Sequence, residues 1–419
     1  MCIKELKFCR LCGSPDLPVV VNLGVQVLSG VFPKYDKPDP ISAPLTLVQC
    51  QSCGLVQQGH SVKPSLLYGD TYGYRSGINK TMRDHLQGIV ESLEEFVDLL
   101  KGDVVLDIGS NDSTLLNFYR EYGIRRIGFD PSGEKFKEFY SKDTILIPDF
   151  FNRELFNKAS EGKKAIVVTS IAMLYDLENP LRFISDVKDI LAENGIWVTE
   201  QSYMPTMVEK NMFDTICHEH MEYYGFTQLV PMLDQFNLRI FSFSFNDVNG
   251  GSVQLWICHK DAMYLNMNFI IDQIIEKEKK DGYDTVKPFV LFNKRINKIK
   301  KKLISFINSE VSKGKTFHLL GASTKGNVLL QFFGLDNIVI SYASERNPIK
   351  YYCHTPGTNI LIIPEFNSRS LKPDYYLVLP WHFKDEIVER EKEYLNKGGK
   401  LVFPLPEIEI VGDKNVRCL

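Results

Sequence analysis

The stretch Val104-Val105-Leu106-Asp107-Ile108-Gly109, followed by Ser110-Asn111-Asp112-Ser113-Thr114, decides the fold. An apolar run ends in an acid and a glycine. A polar turn follows, and then Leu115-Leu116-Asn117-Phe118-Tyr119, helical in pattern. That order reads as strand, turn, helix. Working outward, further apolar strands are predicted at residues 127–129, 144–147, 165–169 and 195–200, with a helix at 181–191 before the last. Strands alternating with helices predict a parallel, doubly wound α/β sheet that takes its ligand at the carboxyl ends of the strands.

The residues at those ends narrow the ligand. Asp107 and Gly109 frame the first turn, with Asn111 and Ser113 where glycines could stand. Asp130 ends the second strand, and Asp149 and Phe150 follow the third. A Rossmann-like methyltransferase brings the first turn to the amino-acid part of S-adenosylmethionine. Its second acid binds the ribose hydroxyls, and its next loop flanks the adenine. The competing ligand, a nicotinamide dinucleotide, calls for G-x-G-x-x-G, and this turn has one glycine.

Nine cysteines are present, an odd count that argues against a disulfide framework. Four form two C-x-x-C-G knuckles, Cys9-Arg10-Leu11-Cys12-Gly13 and Cys50-Gln51-Ser52-Cys53-Gly54. Four thiolates complete a closed tetrahedral Zn²⁺ site, which is structural rather than catalytic. An amino-terminal piece this small needs the metal to hold itself together.

Composition bounds the rest. At roughly 100–200 residues per domain, 419 residues imply several domains. The net charge of −3 gives no broad nucleic-acid footprint. No apolar run reaches about 18–20 residues, and the first residues lack a secretory pattern, so a cytoplasmic protein with no membrane partner is expected. The lysine-rich stretch at 261–312, including Lys298, Lys300, Lys301 and Lys302, is read as a solvated helix face.

The densest chemistry follows the fifth strand: Asp214-Thr215-Ile216-Cys217-His218-Glu219-His220-Met221-Glu222-Tyr223-Tyr224. Histidines two apart on a helix diverge, and the spacing is not H-E-x-x-H, so a metal centre is the weaker reading. General acid–base work is preferred, because imidazole titrates near neutral pH and a carboxylate can orient it.

In combination these motifs resemble the nucleotide-sugar C-methyltransferases of deoxysugar biosynthesis, the group that includes the tetronitrose and mycarose C-methyltransferases. The resemblance covers nearly the whole chain: both knuckles, YGYRSG (72–77), VLDIGSNDST (105–114), DTICHEHMEYY (214–224), NDVNGGS (246–252), GASTKGNVLLQ (321–331), ERNPIK (345–350), TPGT (355–358) and LPWHF (379–383). It implies a zinc-binding amino domain, a central S-adenosylmethionine domain and a carboxyl-terminal Rossmann-like domain. It implies a nucleotide-diphosphate 4-keto-6-deoxyhexose as substrate, with thymidine diphosphate as the expected nucleotide and guanosine diphosphate as the alternative, methylated usually at C3 and in some relatives at C5. It assigns His220 as the base that forms an enolate, Glu219 as its orienting or polarising neighbour, and Tyr74 or Tyr72 as a further contributor. Three positions depart from the family. Cys217 stands where many relatives have tyrosine, and Tyr175 where many have histidine; Tyr175 is expected to donate to the enolate oxygen. Ser113 stands where relatives commonly have glycine, which is harmless if its φ is negative.

Beyond the lysine-rich helices, the run from Thr316 to Asn327 reads again as strand, glycine turn, helix, with further strands near 339–343, 375–379 and 401–403. Ser323, Thr324, Lys325 and Asn327 at the helix start are expected to hold the diphosphate, and Glu345 and Arg346 to read the nucleoside. His382 and Trp381 are read as packed, with the histidine satisfied. His85 is a weak candidate for the site. The expected domains are 1–75, 76–258 and 259–419; the sequence leaves the oligomeric state open, a monomer being one option. The alternatives are an O-methyltransferase on the same scaffold and a non-catalytic nucleotide-sugar-binding protein.

Overall fold

A computed structural model describes residues 2–68, 74–120, 122–413 and 415–419. Tyr72 lies outside the described residues. The amino-terminal part contains strands β1 (Ile3–Glu5), β2 (Val19–Val27), β3 (Ser42–Gln49), β4 (Val56–Gln58) and β5 (His60–Val62). Strands β2, β3 and β4 form an antiparallel sheet, and β1 pairs with β5. Helix α1 (Lys80–Phe96) then leads into the central sheet. Its Leu86, Ile89, Val90 and Leu93 recur at helical spacing and are buried against that sheet.

The central strands are β6 (Val104–Ile108), β7 (Arg125–Phe129), β8 (Thr144–Ile147), β9 (Ala165–Ile171), β10 (Leu191–Ser202), β11 (Glu222–Tyr223), β12 (Leu238–Asn246) and β13 (Ser252–His259). The sheet order is β12-β13-β10-β9-β6-β7-β8, with the five from β10 to β8 parallel. The expected parallel sheet is therefore present, and the antiparallel β12–β13 pair extends it at one edge. β11 joins a different sheet: it pairs with β4 and carries the chain after His220 into the amino-terminal sheet.

The helix expected after β6 is reduced to a 3₁₀ turn, Leu116–Phe118. Leu115, Leu116 and Tyr119 are drawn into the core under α1, and Gly123 turns the chain at φ 90° before β7. Ser113 has φ 63°, not the negative value under which a serine is unstrained. With Gly109 at 81° and Asn111 at 48°, the turn visits the left-handed region at alternate residues.

The carboxyl-terminal part begins with helices Asn268–Lys280 and α2 (Lys287–Ser312), in agreement with the lysine-rich helical reading. Its sheet has β14 (Phe317–Leu320), β15 (Ala343–Glu345), β16 (Ile362–Pro364), β17 (Tyr375–Val378), β18 (Lys400–Phe403), β19 (Glu409–Val411) and β20 (Val416–Cys418), in the order β16-β15-β14-β17-β18-β19-β20. β15 starts where the sequence reading ended its strand; residues 336–340 form hydrogen-bonded turns instead. Helix α3 (Thr324–Phe333) follows β14. Residues of β2 and β3 share one apolar core with α2, α3 and the carboxyl-terminal sheet, through Val20, Leu45, Leu47, Phe289, Phe292 and Leu329 among others. Gln331 of α3 accepts from Val27 N (2.8 Å) and donates to Val27 O (3.1 Å), so a side chain closes part of the β2 edge. No helix among the described residues is long and apolar enough to cross a membrane.

Candidate active site

One cavity of about 380 Å³ lies where the carboxyl ends of β6, β7, β9 and β10 face the end of β14. It is lined by Tyr74, Asp107, Gly109, Asn111, Asp130, Asp149, Phe150, Tyr175, Glu219, His220, Ser323, Thr324, Lys325, Glu345 and Arg346. Residues far apart in sequence and expected to act together thus share one space.

The exception is Asn327. It is fully buried off the cavity wall, and its amide donates to Ser29 O at 2.7 Å. Its place one turn into α3 points it at the amino-terminal chain, so it is a tie between domains rather than a diphosphate ligand.

The cofactor end is rigidly built. Asp130 Oδ2 accepts from Asn111 N (2.9 Å), and Oδ1 from Ser132 N (2.7 Å) and Oγ (2.6 Å). Asp107 accepts from Thr169 Oγ1 at 2.6 Å, and burial together with nearby Asp130 pushes its pKa up to about 7. The chain before α1 is strapped onto the turn. Ser76 N donates to Asn111 Oδ1 (2.9 Å), Gly77 N to Asp112 Oδ2 (3.1 Å), and Arg75 Nε to the same oxygen (2.9 Å). A Cβ on Gly77 would meet Asp112 at 2.7 Å, so glycine is required by that approach. Acids at successive strand ends, an aromatic at Phe150 and a left-handed turn fit the ribose, adenine and amino-acid parts of S-adenosylmethionine.

His220 lines another part of the cavity. Its Nδ1 donates to Thr215 O at 2.6 Å. That bond fixes the tautomer, leaving Nε2 as the lone-pair nitrogen, and no hydrogen bond among the described residues occupies it. Burial, then the charge of Lys325, push the His220 pKa down to about 3, so the ring is neutral at ordinary pH. Tyr175 lies against it with ring centroids 4.3 Å apart. Glu219 is buried, and burial raises its pKa against a smaller lowering by its own backbone, the Cys217 thiol and the Gly30 backbone. A Cβ on Gly30 would collide with Glu219 Oε1 at 2.1 Å and meet Thr324 Oγ1 at 3.5 Å, so glycine alone lets the three domains meet there. Tyr74 lines the cavity and is 42% exposed, and desolvation raises its phenol pKa.

On the far wall, Ser323 Oγ accepts from Gly326 N at 3.0 Å and caps α3. Glu345 spends its carboxylate on backbone amides: Ala322 (2.9 Å), Arg346 (2.7 Å) and Asn347 (2.8 Å). Trp381 is buried as expected and donates to Asp214 Oδ2 at 2.8 Å. His382 is not the satisfied histidine expected: it lines the cavity, its Nδ1 is buried with no hydrogen-bond partner among the described residues, and burial pushes its pKa down to about 3. His85 donates to Glu200 Oε1 at 2.7 Å, while Asn246 (3.0 Å) and Gln254 (2.9 Å) hold Oε2. Glu200 thereby joins the lining. An acid ending a strand was its only sequence signal.

The four knuckle sulfurs lie within 4.8 Å of one another, with Cys9–Cys53 at 3.6 Å and Cys12–Cys50 at 3.4 Å. A tetrahedral zinc with bonds of about 2.3 Å needs sulfurs about 3.8 Å apart, so the set fits.

Three family models match in order: "Putative zinc binding domain" over 9–68, "Methyltransferase domain" over 79–242 and "C-methyltransferase C-terminal domain" over 247–406. The chain is similar to C-methyltransferase NovU of Streptomyces niveus, with 27% identity over 98% of each chain. Among solved structures, the plantazolicin methyltransferase BpumL in complex with a pentazolic analogue and S-adenosylhomocysteine is 10% identical, over 43% of this chain and 86% of that one, at a TM-score of 0.36.

Proposed function

We propose, from the premise that this chain belongs to the three-domain C-methyltransferases and is an S-adenosylmethionine-dependent methyltransferase, that its acceptor is a carbon α to the ketone of a nucleotide-linked 4-keto-6-deoxyhexose, with C3 as the carbon and thymidine diphosphate as the carrier. S-adenosylmethionine supplies an electrophilic methyl group on a sulfonium. His220 Nε2 removes the α proton, and Glu219 and Tyr74 flank the developing charge. Tyr175 packs at a tilt of 56° against the base and restrains its ring. Asp130, Asp149 and Phe150 hold the nucleoside of the cofactor. Ser323, Thr324 and the first amides of α3 face the diphosphate, and Arg346 faces the nucleoside of the sugar. The observation that carries this reading is the His220 Nδ1–Thr215 O bond, which aims a neutral imidazole lone pair into a cavity shared by all these groups.

Methyl transfer should require the ketone, and the α carbon should exchange with solvent deuterium in the presence of S-adenosylhomocysteine. His220→Ala should abolish both and leave S-adenosylhomocysteine binding within about two-fold. Methylation of a hydroxyl on a 4-hydroxy sugar, without exchange, would replace this reading with the O-methyltransferase.

A further inference from the structure

The sequence places Lys325 with the diphosphate ligands, but its surroundings connect it to the catalytic loop. Helix α3 packs on the 3₁₀ turn Phe213–Thr215, with Phe213 against Phe332 and Phe333 of its last turn. That turn supplies the carbonyl of Thr215 that holds His220. Lys325 Nζ lines the cavity, and its recorded acceptor is Asn249 O at 3.4 Å, a long bond for an ammonium with three donors. Among the described residues no carboxylate comes within 4 Å of it. The acid in its field is Asp214, fully buried, which spends Oδ2 on Trp381 and leaves Oδ1 without a hydrogen bond. Burial lowers the Lys325 pKa, and Asp214 offsets part of that lowering without contacting the ammonium. The charge reaches His220, lowering its basicity.

We propose that Lys325 is the cation that receives the enolate oxygen, so that the carboxyl-terminal domain completes the catalytic loop of the central domain. The inference rests on the ketone reading above. As His220 Nε2 takes the α proton, the C–H electron pair becomes the C–C π bond, and the carbonyl π pair moves onto oxygen, facing the ammonium. When the α carbon then attacks the sulfonium methyl, the S–CH₃ pair stays on sulfur and the C=O bond re-forms. The proton remains on His220 until solvent takes it. A cation beside the base weakens the base, and this arrangement is productive only because the same cation stabilises the anion formed.

The test uses the full-length protein with Lys325→Met, which keeps the length of the buried stem, and Lys325→Arg. Two quantities are read: solvent deuterium exchange with kcat on the keto-sugar, and calorimetric affinity for thymidine diphosphate. Lys325→Met is expected to lower exchange and kcat by about 10²–10³-fold, with the affinity for thymidine diphosphate and for S-adenosylhomocysteine within about two-fold. Lys325→Arg should recover part of the exchange. A loss of about ten-fold or more in thymidine diphosphate affinity, with exchange intact, would overturn the assignment and return Lys325 to the diphosphate while the ketone reading stood. Absence of exchange in the unmodified protein, with a functioning cofactor site, would overturn the ketone reading and this assignment with it.

Discussion

Arg10 and Glu222 face each other at 3.5 Å with side chains 3% and 0% exposed. Arg10 lies inside the first cysteine knuckle. Glu222 lies in β11, two residues after His220. Arg10 also donates to Gln58 O (3.0 Å) and Ser61 Oγ (2.9 Å), and Gln58 Nε2 donates to Cys217 O (2.9 Å). The knuckle is thus wired to both ends of the segment from Cys217 to Glu222 that carries His220. Burial raises the Glu222 pKa well above the usual carboxylate range while Arg10 opposes it, so Arg10→Met lets that carboxyl take a proton and leaves Gln58 O and Ser61 Oγ without their donor, which costs about 1–3 kcal/mol. The expected result is a lower urea midpoint for Arg10→Met. Stripping zinc with a chelator should reduce methyl transfer before the central domain unfolds, because the loop loses its anchor. Full activity in protein verified as metal-free would break that link.

The parts of this site that were legible in the sequence are local. A C-x-x-C-G knuckle and an apolar run ending in Asp-x-Gly are complete within a few residues, so Cys9, Cys53, Asp107 and Asp130 could be placed at once. The parts that were not legible depend on distant chain. Nothing within Glu222–Tyr223 says that this two-residue strand pairs with β4, because the partner is set by how two domains pack. Asn327 is two residues from Lys325 and equally polar; the helix turn between them sends one side chain to Ser29 and the other into the cavity. His382 between two aromatics has the look of a packed residue, and only the apposition of β14 and β10 opens the cavity beside it.

Buried histidines and buried carboxyls should act on stability in opposite directions. His382 has its pKa pushed down to about 3 by burial, so between the unfolded value near 6.5 and about 3 the unfolded chain binds the extra proton and the fold loses stability as pH falls. Asp107 is raised to about 7, so the folded chain holds the extra proton between about 4 and 7, and this contribution is lost as pH rises. Relative to the unmodified protein, His382→Gln should gain about 2–3 kcal/mol on going from pH 7 to pH 4. Asp107→Asn should gain as pH rises over the same window. Denaturant midpoints across that range measure both, and parallel curves for variant and parent would contradict the burial argument.

Ser113 occupies a left-handed conformation, φ 63°, that an L side chain adopts at a cost of about 1 kcal/mol. Its hydroxyl returns only a 3.4 Å bond to Asn117 Oδ1. Ser113→Gly should therefore raise the unfolding free energy by about 0.5–1 kcal/mol, less the entropy glycine adds to the unfolded chain. Cofactor binding should persist, since the turn keeps its shape. A destabilised Ser113→Gly would mean that the hydroxyl outweighs the strain.

Arg75 is the test of how the cofactor turn is held. Its guanidinium lies 3.7 Å from the centroid of the Phe139 ring and donates to Asp112 at 2.9 Å. Asp112 is 2% exposed and also takes Gly77 N, so one buried carboxylate binds the strap to the turn. Arg75→Ala removes the countercharge, the stacking and the strap together. S-adenosylhomocysteine affinity should fall about ten-fold, equivalent to about 1.4 kcal/mol, while zinc content stays unchanged because the knuckles are in another sheet. Arg75→Lys keeps the charge but not the planar face over Phe139, so its affinity should lie between the two. Calorimetry on the three proteins decides the point. Equal affinities would mean that the backbone bonds from Ser76 and Gly77 hold the turn without the arginine.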